Sequence, residues 1–349
     1  MTRLKSNIIL LTASVVVGLV MAEVLLRVFV PQETKRLATF DPDLGWRGVP
    51  GGTGTYIRIA DGIETEFTYN DIGFRDEDVP PLDPERRQVV MLGDSFVESL
   101  EVPLEASFHD LVEQWLRSSV DPAYSVVSLA SQGYSTAQEL LAYRKFRDRL
   151  APRVVLVVFY TGNDFTDNSN TPFIRIDERD SLVFISPEYS QGEKMWLAFQ
   201  RWAYERSHLV FFLKNAAENL LNTRITHEAR GVNKRAKGVN SIRVEMTSRL
   251  LRQICSELAA EQVKVGVVVI PSRADMLKDR HEPSDFVGEV CRLEGIPYMR
   301  LDTLLRPDHY FEHDEHLNIE GHRVASRAIM DFLSTSFELK ATAPDERPS

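Results

Sequence analysis

Four short stretches carry residue types that could do chemistry together: Gly93-Asp94-Ser95, Ser131-Gln132-Gly133, Thr161-Gly162-Asn163-Asp164 and Asp314-Glu315-His316-Leu317-Asn318. The first offers a hydroxyl, and the second a glycine where backbone can approach a ligand closely. The third offers a side-chain amide, and the fourth an imidazole with an acid two residues before it. Acyl transfer needs that inventory: a hydroxyl to attack, an imidazole to take its proton, a carboxylate to hold the imidazole, and donors for the oxyanion. Each stretch alone has an ordinary explanation as a turn, a helix-leading glycine or a loop cap. Their joint occurrence in one order favours the chemical reading. His309, His313 and His322 lie near His316, with Asp308 and Asp314, but their spacings match none of the usual zinc signatures. No metal and no cofactor are expected, and His322 is expected on a helix behind the site.

These groups need elements to position them. From Gln88 onward the chain alternates helical stretches with the runs "QVVMLG", "YSVVSLA", "RVVLVVFY", "VKVGVVVI" and "PYMRLD". Several runs are apolar at consecutive positions, as in strands buried on both faces, which predicts a five-stranded parallel sheet covered by helices. Ligands in such doubly wound sheets bind at the carboxyl ends of the strands, where the first three stretches fall and the fourth follows the last strand. About a hundred residues separate "FYTGND" from "VKVGVVVI", more than a crossover helix needs. A helical insertion is predicted there at about 168–240. Its aromatics Trp196, Trp202, Tyr204, Phe211 and Phe212 are read as helix core in preference to a sugar or acyl pocket. The basic stretch 229–238 is read as an exposed loop, and 243–262 as the returning helix, with Met246, Leu250, Ile254 and Leu258 on one face. Before Gln88, Gly- and Pro-rich turns and an alternating segment around Asp61-Gly62 predict a small β lead-in with a hairpin.

At the four stretches the chain resembles the SGNH (GDSL-type) hydrolase superfamily. "GDSF", "SQGYS", "TGND" and "DEHLNIEGH" look like its four blocks, in order, over about residues 88–335. The resemblance implies a flavodoxin-like three-layer α/β/α fold, Ser95 as nucleophile, and His316 as base oriented by Asp314. It also implies an oxyanion hole from the N–H groups of Ser95 and Gly133 and the side chain of Asn163. Two positions depart from the common pattern: Thr161 stands where many members have glycine, and His313 stands three before His316 where many have the aspartate. Asp314, two before, is the spacing of the branch that resembles alginate-acetylation proteins.

The remaining sequence narrows the setting. With 349 residues, net charge −10 and no stripe of Lys and Arg, a nucleic-acid partner is not expected. Residues 8–22 carry no charge, and apolar character resumes through Val30 around only Glu23 and Arg27, which share a helix face and can pair. A single transmembrane anchor over 1–30 is therefore predicted, in preference to a signal peptide cleaved after Ala22, with Arg3 and Lys5 keeping the N-terminus cytoplasmic. The expected order is anchor 1–30, lead-in 31–87, hydrolase-like domain 88–339 and disordered tail 340–349. Cys255 and Cys291 allow one disulfide or two buried thiols. The expected activity is hydrolysis of O-acyl, especially O-acetyl, esters on an extracytoplasmic carbohydrate or lipid. O-acyl transfer to an exported polysaccharide through the same residues, or a silent envelope scaffold, are the alternatives.

Overall fold

The five β-rich runs pair as one parallel sheet. A computed structural model of the chain describes residues 2–30, 37–79, 86–210, 212–213, 216 and 236–341. The tail beyond 341 and the basic stretch before Ala236 lie outside the described residues. The lead-in strands are β1 (Ala38–Asp41), β2 (Gly45–Gly48), β3 (Thr53–Arg58) and β4 (Ile63–Thr68). The sheet strands β5 (Arg87–Gly93), β6 (Tyr124–Ala130), β7 (Pro152–Tyr160), β10 (Lys264–Ile270) and β11 (Tyr298–Arg300) lie in the order β11-β10-β7-β5-β6. Renumbered among the five strands, this is the 2-1-3-4-5 order of doubly wound flavodoxin-like sheets, with β7 in the middle.

Alternate residues of the apolar runs serve opposite faces. On one face Val90, Leu92, Val155, Val157, Val267 and Val269 pack with Leu140, Tyr143, Leu251, Ile254 and Val287. On the other, Val89, Met91, Leu156, Val158 and Val268 pack with Phe108, Val112, Ile329 and Leu333. Helices α3 (Phe108–Trp115) and Ile319–Ser336 cover the second face. Helices α4 (Thr136–Phe146), Ala236–Ala260 and Glu282–Leu293 cover the first. The three layers expected from consecutive apolar positions are therefore present. Leu250, Ile254 and Leu258 are fully buried on the returning helix as the four-residue spacing predicts. Cys255 and Cys291 are free and buried, and burial pushes both thiols up to about 12.

The chain divides into two compact units, one of residues 37–56, 63–187 and 237–349, the other of residues 1–36, 57–62 and 188–236. Lead-in residues 37–56 and 63–79 go with the sheet-bearing unit: Leu44, Ile72, Phe74 and Val79 belong to the same buried cluster as the sheet valines. The front of the predicted insertion, with α5 (Asp164–Asn170) and the antiparallel pair β8 (Ile174–Ile176) and β9 (Leu182–Phe184), also stays with the sheet-bearing unit. The second unit contains helix α1 (Thr2–Phe29), of which Lys5–Phe29 is long and apolar enough to cross a membrane, and helix α6 (Gln191–Arg206). The aromatics expected as helix core are not buried: Trp196, Trp202 and Phe212 are 57%, 54% and 45% exposed. Periodic spacing marks an apolar face but does not say what covers it. The Tyr204 side chain and Phe211 lie outside what the structure describes.

Arg75, from the lead-in, is nearly fully buried against the segment that follows Ser95. Its guanidinium donates to the carbonyls of Glu98 (3.1 Å), Val102 (2.6 Å) and Ser99. Burial pulls its pKa down, and the charges of Glu101 and Glu98 oppose that. Replacing Arg75 with Met would remove the guanidinium donor from the buried Glu98 and Val102 carbonyls and one of two donors from that of Ser99, which keeps the Val102 N–H, and is expected to cost about 3 kcal/mol. Urea denaturation of the variant against the parent chain measures this.

Candidate active site

Ser95 is placed by the abrupt end of β5. Asp94 caps the short helix α2 (Ser95–Glu98) by accepting the Phe96 N–H at 2.9 Å, so the Ser95 hydroxyl stands at the first turn beyond the sheet. Gly93 is required by close approach, because a Cβ there would meet the Val97 side chain at 2.4 Å. No hydrogen-bond partner for the Ser95 N–H occurs among the described residues, as expected for the first residue of a helix.

His316 arrives on a braced loop. Tyr310 and Leu317 form an antiparallel bridge, and the Phe311 N–H donates to the His316 carbonyl at 3.0 Å. Asn318 then caps the final helix by accepting the Gly321 N–H at 3.0 Å. A side chain at Gly321 would strike the His309 carbonyl at 2.3 Å, which accounts for the glycine in "NIEGH". On this loop the His316 Nε2 lies 2.7 Å from the Ser95 Oγ, and Nδ1 is hydrogen-bonded to Asp314. The Asp314 carboxylate also accepts the His316 backbone N–H at 2.9 Å, so the two-residue spacing lets one acid hold both the ring and its backbone. Phe96 packs against the imidazole at 4.9 Å and against Tyr160 at 3.9 Å.

A second acid reaches the same imidazole. Glu101 Oε1 lies 3.2 Å from His316 Nδ1, and its residue is only 5% exposed. Glu101, Asp314 and His316 are the group of ligand-type side chains close enough to share an ion among the described residues. The imidazole there already has Nδ1 against the two carboxylates and Nε2 against the hydroxyl, which suits proton relay. Burial alone would disfavour the imidazolium. The charge of Glu101, with the hydrogen bond and charge of Asp314, outweighs it and pushes the His316 pKa up to about 9. Burial, reinforced by Asp314 and opposed by His316, raises Glu101 itself. The other histidines go elsewhere. His322 accepts the Phe108 N–H at 3.1 Å and stacks on that ring behind the site, and His309 accepts the Arg306 N–H at 3.1 Å.

The expected oxyanion donors have different situations. Gly133 adopts φ +75 in a turn closed by the Tyr134 N–H to the Ser131 carbonyl, a conformation glycine takes without strain. Its N–H has no hydrogen-bond partner among the described residues. Asn163 is more constrained than the sequence suggests: both hydrogens of its amide are held, by Asp94 at 3.0 Å and Asp167 at 2.9 Å. Serving an oxyanion requires one of these two carboxylates to release its hydrogen. Burial, with the charge of Asp94, pushes Asp167 up to about 6. Burial, then Asp94, holds the enclosed Glu139 and Asp164 toward their neutral forms. Thr161, the departure from glycine, uses its hydroxyl to accept the Ser272 N–H at 2.9 Å, tying the end of β7 to the loop after β10.

Several site residues went unread in the sequence. Glu98 accepts the Gln132 N–H at 2.6 Å and the Tyr69 hydroxyl at 2.9 Å, joining α2 to the Gly133 turn. Trp46 braces that turn from the lead-in, its indole donating to the Gln132 carbonyl at 3.1 Å. The available signal was "FVESLEV", where two acids interrupt an otherwise apolar run directly after the serine.

The imidazole should therefore titrate late. An NMR titration of His316 is expected to show a midpoint near pH 9. Glu101→Gln removes one of the charges that favour the imidazolium, so the midpoint should fall by about one unit. An unchanged midpoint would mean that Glu101 does not act on the ring.

No protein-family model matches the chain, and no curated protein matches it. Solved structures do. A lipase/acylhydrolase from Enterococcus faecalis matches at 13% identity and TM-score 0.41, covering 74% of this chain and 99% of its own. A GDSL-like lipase from Bacteroides thetaiotaomicron VPI-5482 matches at 12% identity and TM-score 0.39, covering 73% and 91%. An acetylxylan esterase from Geobacillus stearothermophilus matches at 10% identity and TM-score 0.42, covering 74% and 97%.

Proposed function

We propose that the chain is a serine esterase that cleaves O-acyl esters through Ser95, His316 and Asp314. The observation that carries this reading is the continuous contact from hydroxyl to imidazole to buried carboxylate, with Ser95 Oγ 2.7 Å from Nε2. Ser95 attacks the ester carbonyl while its proton passes to His316 Nε2. The Ser95 and Gly133 N–H groups, with the Asn163 amide once one of its two carboxylates releases a hydrogen, hold the tetrahedral oxyanion. His316 returns the proton to the leaving alcohol, giving an acyl-Ser95 ester. Water, deprotonated by the same imidazole, then releases the acid and restores the hydroxyl. Asp314 keeps the Nδ1 proton and orients the ring. Glu101 acts through the ring as a positioning residue.

The substrate class proposed is an O-acetylated carbohydrate or lipid outside the cytoplasm, with the chain held in the membrane by α1, N-terminus inward. Support for this setting comes from the apolar span Lys5–Phe29 and from the basic Arg3 and Lys5 at its N-terminal end.

Full-length chain in detergent is expected to hydrolyse a short-chain acetyl ester, and Ser95→Ala to lose at least about 10³-fold in kcat. An organophosphonate should add covalently to Ser95 of the parent chain, read by mass spectrometry of the peptide. Adduct formation without hydrolysis would move the reading toward acyl transfer to an acceptor other than water, and neither result would support the silent module. Since His316 accepts a proton only when neutral, kcat/KM should rise with pH up to about 9. Asn163→Ala should lower kcat by about 10²-fold if the amide serves the oxyanion.

A further inference from the structure

The unit that contains α1 also carries an uncovered aromatic face. On α6, Trp196, Phe199 and Trp202 are more than half exposed and stack in sequence, ring centroids 5.9 and 6.0 Å apart. Met195 beside them is 73% exposed, and Phe212 and Leu213, beyond the end of α6, are exposed as well. A contiguous patch of this kind is unusual on a surface meant for water.

Hydrogen bonds fix where the end of α6 stands along α1. The carboxylate of Glu23 accepts the Ser207 hydroxyl at 2.8 Å and the N–H groups of His208 and Leu209, both at 2.9 Å. Arg27, paired with Glu23 at 2.7 Å, donates to the Arg206 carbonyl at the end of α6. Glu23 lies six residues before the end of the apolar span, so residues 207–209 sit about 9 Å inside that end, at 1.5 Å per residue. A carboxylate at that depth requires donors from the chain, and the segment after α6 supplies three. The side chains of Lys5–Phe29 are themselves uncovered and need an apolar solvent.

We infer that the Trp196–Phe199–Trp202 face of α6, with Phe212 and Leu213, lies in the interface of the lipid bilayer that α1 crosses. The inference rests on reading α1 as membrane-spanning. Tryptophan suits this level because its ring body is apolar and its N–H reaches water or headgroups. Arg206, set over the Trp202 ring at 5.9 Å, and exposed Lys194 supply the cationic groups that such helices present to headgroups. The insertion is therefore a second membrane contact.

The test uses full-length chain reconstituted into phosphatidylcholine vesicles with and without acyl-chain-brominated lipid. The chain has four tryptophans and none lies in α1. Bromolipid is expected to quench the parent emission, and Trp196→Phe with Trp202→Phe, which keeps the face apolar, to abolish most of that quenching. Flotation reports the anchor separately. A chain that fails to float with the vesicles refutes the anchor reading, and the inference with it. A chain that floats but shows the same quenching in parent and variant places these tryptophans out of reach of lipid and overturns the inference alone. Emission that responds to a soluble acetylated polysaccharide in the parent only, without bromolipid quenching, assigns the face to glycan and overturns it too.

Discussion

The structure of the site depends on keeping one imidazole buried and basic. An imidazolium taken out of water is strongly disfavoured, so His316 can hold a raised pKa only if negative groups are set against it at hydrogen-bond distance. Asp314 and Glu101 do this from different parts of the chain, one on the ring's own loop and the other shortly after α2. Two acids sharing one nitrogen repel each other, and each must be held by surrounding structure. Asp314 is held by the backbone of the residue it orients. The segment carrying Glu101 is held by Arg75, whose guanidinium binds the carbonyls on either side of it. A lead-in residue thus supports chemistry it never touches.

The parallel sheet does the coarse positioning. Because β5, β6 and β7 run side by side in one direction, their carboxyl ends place Ser95, Gly133 and Asn163 at one edge without long-range adjustment. Fine positioning then comes from polar links between those ends. Glu98 ties α2 to the Gly133 turn, and Asp94 ties the same helix to Asn163. Asp94 is fully enclosed, and burial raises its pKa against the opposing donors Phe96 and Asn163 and the charge of His316. The acid of the Gly-Asp-Ser turn therefore serves as a cap and a clamp together.

The second unit follows different rules. Its apolar residues face outward, and its best-defined polar contact is a carboxylate on an apolar helix satisfied by a neighbouring helix end. An apolar surface of this extent is unusual against water.

Much of this was legible in the amino acids. Consecutive valines identified doubly buried strands, because a residue on either face of a covered parallel sheet is apolar. The turn residues at the strand ends located Ser95, Gly133, Asn163 and the His316 loop, because local chemistry there is dictated by local sequence. Only the tertiary structure decided which acids reach the imidazole, that Asn163 has both amide hydrogens occupied, that lead-in residues 37–56 and 63–79 join the main core, and that the α6 aromatics stay uncovered. Each of these depends on groups far apart in the chain: Glu101 lies more than two hundred residues from His316, and Arg75 acts across a turn that no periodicity encodes. A pattern of apolar residues shows that a face must be covered. What covers it is settled by the fold and by the solvent around it.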